Sequence, residues 1–519
     1  MTKDSMTKNA IGAAVALTLA AVTNPAWADT VPDTASDTDA RIEALQQAIT
    51  SMQAQIDALK AEQQRSKLAA QDAPRPTLNN SRFGFASADG RSTLAVRALV
   101  QADAAHYAQG GAGPLAADYR RGSVGATANR EVNGARDLSD GLYFRRARLG
   151  IDGTISSDFG YRLVTEFGGG GTEGPARIND AWISYGGFAP FTVQLGAYAP
   201  PANMEDSTAP DETLLIERAT PAELSRTLGG ADGRTALTVR ANGQRWTAAA
   251  TLTGRTVYDA EVYDSQTALV ARGGGLVAAG EDYDVHLGAS GTWVIHPADA
   301  GIDATGVRYG VRLRDRPELR VDGTRLIDTG AIDAEHAWAT GLEFGANWRN
   351  LLLQTEDFRF GLKRRNAPTL DNPRFGGWYA QASWVLTGER HRYNPSTGSF
   401  RSPRPFVPLS SGGGRGAWEL ALRYSHTDLN FHAGAAGSAP AADSIRGGVQ
   451  DIWTVGINLY ANPNLRWQLN YLRIDVDRLN PRTSAATSAP FGAAPATPPV
   501  GVQIGQTLSA WALRTQYGF

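Results

Sequence analysis

The chain has 519 residues, a formal charge of −2, 57 glycines, no cysteine and a mean hydropathy of −0.30. That hydropathy excludes a bundle of membrane helices; the missing cysteine excludes disulfide frameworks, thiolate metal sites and cysteine nucleophiles; the near-neutral charge leaves no footprint for nucleic acid. Of the 50 basic residues only Lys3, Lys8, Lys60, Lys67 and Lys363 are lysine, so arginine carries almost all the positive charge.

At the start, Lys3 and Lys8 precede a short apolar run from Ala10 to Val22 that closes on Ala26-Trp27-Ala28. Charge, run and small-residue cleavage site together predict a signal peptide over 1–28, removed after Ala28, and hence export. After a short N-terminal segment (29–37), Ile42, Leu45, Ile49, Met52, Ile56 and Leu59 are spaced 3, 4, 3, 4, 3. That heptad seam predicts a coiled coil over 38–68. The Pro-punctuated stretch that follows reads as a linker over 69–80.

From residue 81 the apolar period changes from helical to two. Trp418, Leu420, Leu422 and Tyr424 alternate with Glu419, Arg423 and Ser425; Val307, Tyr309, Val311 and Leu313 alternate with Arg308, Arg312 and Arg314. Sixteen such runs begin near 93, 142, 158, 176, 190, 233, 244, 282, 307, 336, 350, 376, 416, 450, 465 and 506. Short turns at 156–157, 186–187 and 241–243 alternate with long polar stretches at 108–140, 254–281, 428–449 and 480–504. No run is apolar enough for a membrane helix, so an exported chain with this pattern is expected to cross a membrane as strands. The expected fold is all-β: a 16-stranded antiparallel transmembrane β-barrel over 81–519, apolar side chains toward lipid and polar ones toward a lumen, preceded by a periplasmic helix. A bulge is expected near Tyr471–Leu472, and the connection 389–415 is unusually long for its side. Aromatic residues near run ends (Tyr143, Trp246, Trp293, Trp348, Trp418, Trp467, Trp511) suit interfacial girdles. The last run ends on Tyr517 and Phe519.

Several stretches resemble the phosphate-selective porin O and P family: Phe144-Arg-Arg-Ala-Arg-Leu-Gly-Ile-Asp-Gly153, Val193-Gln-Leu-Gly-Ala-Tyr-Ala-Pro-Pro201, Trp378-Tyr-Ala-Gln381 through Leu386-Thr-Gly-Glu-Arg390, Gly416-Ala-Trp-Glu-Leu-Ala-Leu-Arg-Tyr-Ser425 and Gly456-Ile-Asn-Leu-Tyr-Ala-Asn-Pro-Asn464. The resemblance implies a trimeric outer-membrane porin that passes small anions by diffusion, with the loop after the fifth strand, about 200–232, folded into the lumen. It further implies that Tyr517 and Phe519 serve as the signal read by the barrel assembly machinery, and that outer-membrane lipid and lipopolysaccharide surround the barrel.

A pore site is electrostatic, and arginine suits it because its planar fork holds phosphate or carboxylate and stays charged. Alternation places Arg97, Arg146, Arg148, Arg162, Arg240, Arg245, Arg308, Arg312, Arg314, Arg423 and Arg514 on the lumen face as an anion path. The loop contributes Glu205, Asp206, Asp211, Glu212 and Glu217, with Arg218 and Arg226. These acids either set up a transverse field opposite the arginines or pin the loop to them. The family's phosphate-selective members use lysines, and after residue 81 only Lys363 remains, so a general or mildly anion-preferring pore stands beside the phosphate reading. A structural tether acting through the coiled coil is the third. Gly169-Gly-Gly171-Thr-Glu-Gly174 matches a dinucleotide fingerprint but lies between strands with no helix after it. The seven histidines show no metal spacing, and no nucleophile motif occurs, so no enzyme, metal or cofactor is expected.

Overall fold

The computed structural model describes residues 35–79, 81–109, 138–169, 176–257, 263–301, 307–481, 500–501 and 503–519. The expected signal peptide and its cleavage site lie outside them. The chain divides into two compact units, residues 1–73 and 74–519.

In the first unit, α1 (Ala35–Asp72) is one helix with neither glycine nor proline inside it, and Pro74 bars its continuation. Ile42, Leu45, Ile49, Met52, Ile56 and Leu59 are exposed along it. The expected linker 69–80 is not one: its first residues finish the helix, and Arg75–Asn79 forms strand β1, paired with β2 (Arg82–Ala86).

The second unit is a closed barrel of sixteen antiparallel strands: β3 (Thr93–Ala108), β4 (Gly141–Ile155), β5 (Phe159–Glu166), β6 (Arg177–Phe188), β7 (Phe191–Tyr198), β8 (Arg234–Asn242), β9 (Trp246–Thr256), β10 (Thr267–Ala279), β11 (Tyr283–His296), then β15 (Ile332–Trp348), β16 (Leu351–Arg364), β17 (Arg374–Val385), β20 (Ala417–Phe431), β21 (Ile445–Tyr460), β22 (Leu465–Asp477) and β23 (Thr507–Gly518). Pairing of β23 with β3, from Ser509↔Ala108 to Gly518↔Leu99, closes the ring, and the β1–β2 hairpin extends the sheet beside the first residues of β3. Closure leaves no free edge among the sixteen strands of the ring, which is what a sheet in lipid requires.

The alternation runs in the sense opposite to a soluble protein. On β20, Trp418, Leu420 and Leu422 are exposed on the outer face, whereas Glu419, Arg423, Ser425 and Thr427 are buried inside. Outward tryptophans ring β9 to β23, among them Trp246, Trp293, Trp348, Trp418 and Trp511. Tyr143 does not join them, since its hydroxyl is buried.

Three expectations are corrected. Thr267–Ala279, read as part of a long loop, is β10; its Gly273-Gly-Gly275 hid the alternation. The run at 307–314 is no barrel strand but belongs to an insertion, residues 297–331, carrying the short strands β12 (Gly310–Val311), β13 (Arg314–Asp315) and β14 (Ile327–Asp328). The two errors offset each other in the count of sixteen. Finally, β22 pairs without a register shift on either side, so there is no bulge at Tyr471–Leu472. Leu472, Ile474 and Val476 do point inward, where they share one buried apolar cluster with Leu326 and Ile327 of the 297–331 insertion. A chain that fills its own lumen gives inward apolar positions something to bury against, worth about 1.5–3 kcal/mol for each large side chain fully covered.

Among the described residues, three segments thus enter the lumen. Residues 199–233 (between β7 and β8) and 297–331 come from the end of the barrel that carries the long loops. Residues 386–416, between β17 and β20, come from the short-turn end and carry the hairpin β18 (Arg392–Asn394) and β19 (Ser399–Arg401).

Candidate pore site

The 199–233 segment is held by its helix ends. Asn203 caps α2 (Met204–Ser207), accepting from Asp206 N at 2.7 Å. The buried Glu356 carboxylate on β16 accepts from the first free amides of that helix, Met204 N (2.8 Å) and Glu205 N (3.1 Å). Anions at a helix N-terminus complement both its unpaired N–H groups and its dipole. Pro221 opens α3 (Thr220–Gly229), which packs on β10, β11, β15, β16, β17 and β20. Between the helices, Leu214 O accepts from Asn458, Arg466 and Gln468 on β21 and β22 at 3.0–3.2 Å. The segment is therefore fastened to the β10–β23 side of the barrel.

Its acids do most of the fastening. Glu217 accepts from Arg145 at 2.6 and 3.1 Å, from Arg514 at 2.9 Å and from Arg320 at 3.1 Å. Burial alone would raise its pKa, but Arg145, Arg320 and Arg514 outweigh it and hold the carboxyl well below the usual range. Arg514 also clasps Asp103 on β3 with two bonds of 2.7 Å, and Arg423 holds Glu205 (3.1 Å) and Glu318 of the second insertion. Asp206 pairs with Arg226 at 2.5 Å, and Arg226 with Asp232 at 2.6 Å; Arg218 lies 3.9 Å from Asp206. Of the two roles open to these acids, pinning describes Glu205 and Glu217.

The third insertion is seated by Arg272 on β10. Its fork takes both oxygens of Glu343 (2.7 and 2.8 Å), and two further N–H groups reach Thr397 O (2.6 Å) and Gly398 O (2.7 Å). His391 meets Glu419 at 2.6 Å, and Ser399 Oγ donates to Ser207 O across to the first insertion.

Against the opposite arc, β3 to β8, a chamber of about 740 Å³ remains, lined by eleven arginines and five acids. Arg97, Arg148, Arg162 and Arg240 line it from the wall; Asp206, Asp211, Glu212, Arg218 and Arg226 from the first insertion; Arg392, Arg401 and Arg404 from the third. Arg148 is bound to Glu166 (2.7 Å), and Arg97 lies 3.8 Å from Asp152. Arg162, Arg240, Arg392, Arg404 and Arg466 have no ion pair among the described residues, though Arg466 donates to Leu214 O. Glu212, 3.9 Å from Arg401, has its carboxyl pushed up to about 7 by burial and by Asp211, against the pull of Arg401, Arg392 and Arg404.

Other expected positions fall elsewhere. Arg423 and Arg514 lie buried beneath the first insertion, and Arg146 is buried with one bond, to Gln101 Oε1 at 2.6 Å. Arg245 is exposed in the β8–β9 turn. Arg308, Arg312 and Arg314 belong to the 297–331 insertion, where Arg308 pairs with Asp299 and Arg312 with Asp328. Tyr517 is exposed on the outer face, and Phe519 pairs its backbone with Ala98.

Sequence reasoning missed six positions of note. Arg145 points inward because a bulge between Gln101 and Ala102 puts both Arg145 and Arg146 inside. Arg272 sat in the unread β10, and Arg392, Arg401 and Arg404 sat in a connection on the side where turns are short. Trp182 was given no place among the aromatic residues, and it lines the chamber; its only signal was parity with Asp180.

A family model, phosphate-selective porin O and P, matches residues 121–490. An uncharacterised protein of Caulobacter vibrioides is 26% identical over 373 residues, 67% of this chain and 65% of that protein, so the match spans slightly under two thirds of that relative's length. Porin O of Pseudomonas aeruginosa is 23% identical over 393 residues, 71% of this chain and 83% of that protein. Among solved structures, the anion-selective porin from Comamonas acidovorans aligns with 13% identity and a TM-score of 0.43, covering 82% of this chain and all of that one. The trimer form of OmpT from Vibrio cholerae aligns with 9% identity and a TM-score of 0.44, covering 82% and 99%.

Proposed function

The chain belongs to the phosphate-selective porin O and P family, an outer-membrane channel by fold and by family, and we propose that it gives small hydrophilic anions, phosphate among them, a passive path through the arginine-lined chamber. The observation that carries this reading is the imbalance in that chamber: eleven arginines face five acids, and five of the arginines lack an ion pair among the described residues. A cation meets net repulsion there, whereas an anion exchanges water for charged forks spread over several positions, which lets it leave as well as enter. The relative named Porin O fits this reading.

A general porin with mild anion preference is the second reading. It is favoured by the lack of any lysine in the chamber and by the acids Asp180, Asp206, Asp211, Glu212 and Asp232 that share it. Reversal potentials of the purified protein in planar bilayers under a salt gradient test the first reading. Anion preference with current saturating as phosphate is raised supports it, cation preference overturns it, and anion preference without saturation favours the general pore.

The remaining assignments belong to the same proposal. Residues 1–28 direct export and are removed after Ala28. The long loops face outward and the 386–416 connection faces the periplasm, in keeping with the short periplasmic turns of such barrels. Tyr517 and Phe519 serve as the assembly signal, and lipid with lipopolysaccharide surrounds the tryptophan-bearing wall. Three chains associate, and their α1 helices join through the Ile42–Leu59 seam; a tether to the cell wall is the alternative use of that helix.

A further inference from the structure

We propose that the chamber holds a binding site for ring-bearing anions, in which a flat ring stacks on Trp182 while its carboxylate or phosphate is gripped by neighbouring arginines. The proposal rests on the channel reading above and narrows its solute class. The lumen of a porin is ordinarily polar, and an indole set into it gives up lipid without gaining a core. Trp182 lines the chamber on β6, although the tryptophans of β9 to β23 named above stand on the outer face. Its cross-strand partners explain why it stays open. On one side stands Arg162 of β5, its guanidinium carbon 5.1 Å from the ring centroid; on the other is Gly196 of β7, which has no side chain to cover the indole. A side chain at Gly196 would bring its Cβ within 2.6 Å of Trp182 Cα, so that opening is built into the pairing.

The polar groups around the ring are likewise unspent. The indole N–H has no protein acceptor among the described residues. Arg162 has neither hydrogen bond nor ion pair among the described residues, and its Nε is buried without an acceptor there. Arg240 and Gln194 also line the chamber, with Asp180 as the one nearby acid on β6. A buried arginine donor lacking its acceptor marks a place where a ligand oxygen restores what desolvation removed. The size agrees. A chamber of about 740 Å³ falls in the range of roughly 300–1,000 Å³ that suits ring-sized organic ligands and far exceeds what a bare oxyanion fills.

The test compares two dianions of equal charge, terephthalate and succinate, on the purified full-length protein. In planar bilayers each is titrated as a blocker of chloride current, and binding of each to the detergent-solubilised, folded protein is measured by equilibrium dialysis. Terephthalate is expected to act at about tenfold lower concentration than succinate, the scale of one aromatic stacking contact. Trp182→Ala should erase that difference, and Trp182→Phe should keep most of it. Equal potency of the two dianions on the native protein overturns the proposal, as does a preference that survives Trp182→Ala. Dialysis separates the two levels: binding of terephthalate in a protein that passes no chloride supports the site and counts against the channel.

Discussion

Arg514 on the last strand and Glu217 on the first lumen insertion lie 2.9 Å apart, and the same guanidinium holds Asp103 on the first barrel strand. One side chain thus spans the seam where the barrel closes and fixes the segment that narrows it. Both partners are buried. Arg514→Ala leaves two buried carboxylates short of a cation and should cost about 3–5 kcal/mol. A lower urea midpoint for barrel unfolding checks this, and single-channel conductance should rise as the 199–233 segment loosens.

Arg272 seats the insertion that enters from the short-turn end. Arg272→Ala removes both its carbonyl contacts to Thr397 and Gly398 and its fork on Glu343, at a cost of similar size, about 3–5 kcal/mol. The expected channel has larger and noisier conductance, and protease added from the short-turn side should cut within 392–401 faster than in the parent.

Glu212 makes the chamber sensitive to pH near neutrality. Its carboxyl titrates at about 7, so it is neutral below that pH and charged above it. Between pH 6 and 8 the chamber gains one negative charge beside Arg401, Arg392 and Arg404, and anion-over-cation permeability should fall. Asp211 sits beside it and repels the new charge. Glu212→Gln should flatten the dependence; a slope that persists in that variant places the titrating group elsewhere.

The seam of α1 is exposed along its whole length. Ile49→Lys with Ile56→Lys in the full chain should weaken self-association, read as a lower temperature of oligomer dissociation on native gels. Conductance per barrel should stay within twofold. Unchanged dissociation temperature argues that the seam meets something other than its own copies.

Most of the barrel was legible because strand alternation is strict and lipid punishes exceptions. Fifteen strand starts fell within five residues of their observed places. Glycine hid Thr267–Ala279, since Gly273-Gly-Gly275 offers no side chain to alternate. Val311 and Leu313 imitated a strand because the insertion that holds them buries its own apolar face within the lumen. The site was legible by residue type but not by role. Period-two reasoning put Arg423 and Arg514 inside, as observed, yet could not distinguish arginines beneath the insertion from those facing the chamber. Arg145 was lost to one inserted residue, since a bulge reverses the parity on which such reasoning depends.

The first insertion leans chiefly on β10 to β23, with Gln101 on β3 and Arg145 on β4 as its anchors across the lumen, and leaves β5 to β8 facing the chamber. The two arcs are therefore free to change on different terms. Substitutions on chamber-facing positions of β5 to β8, such as Arg162 and Arg240, can retune which solutes pass, while the far arc, with Gln101 and Arg145, keeps the plug in its seat. A lineage of such channels can diversify in diet by drifting along one side of the wall, with no renegotiation of how the molecule folds.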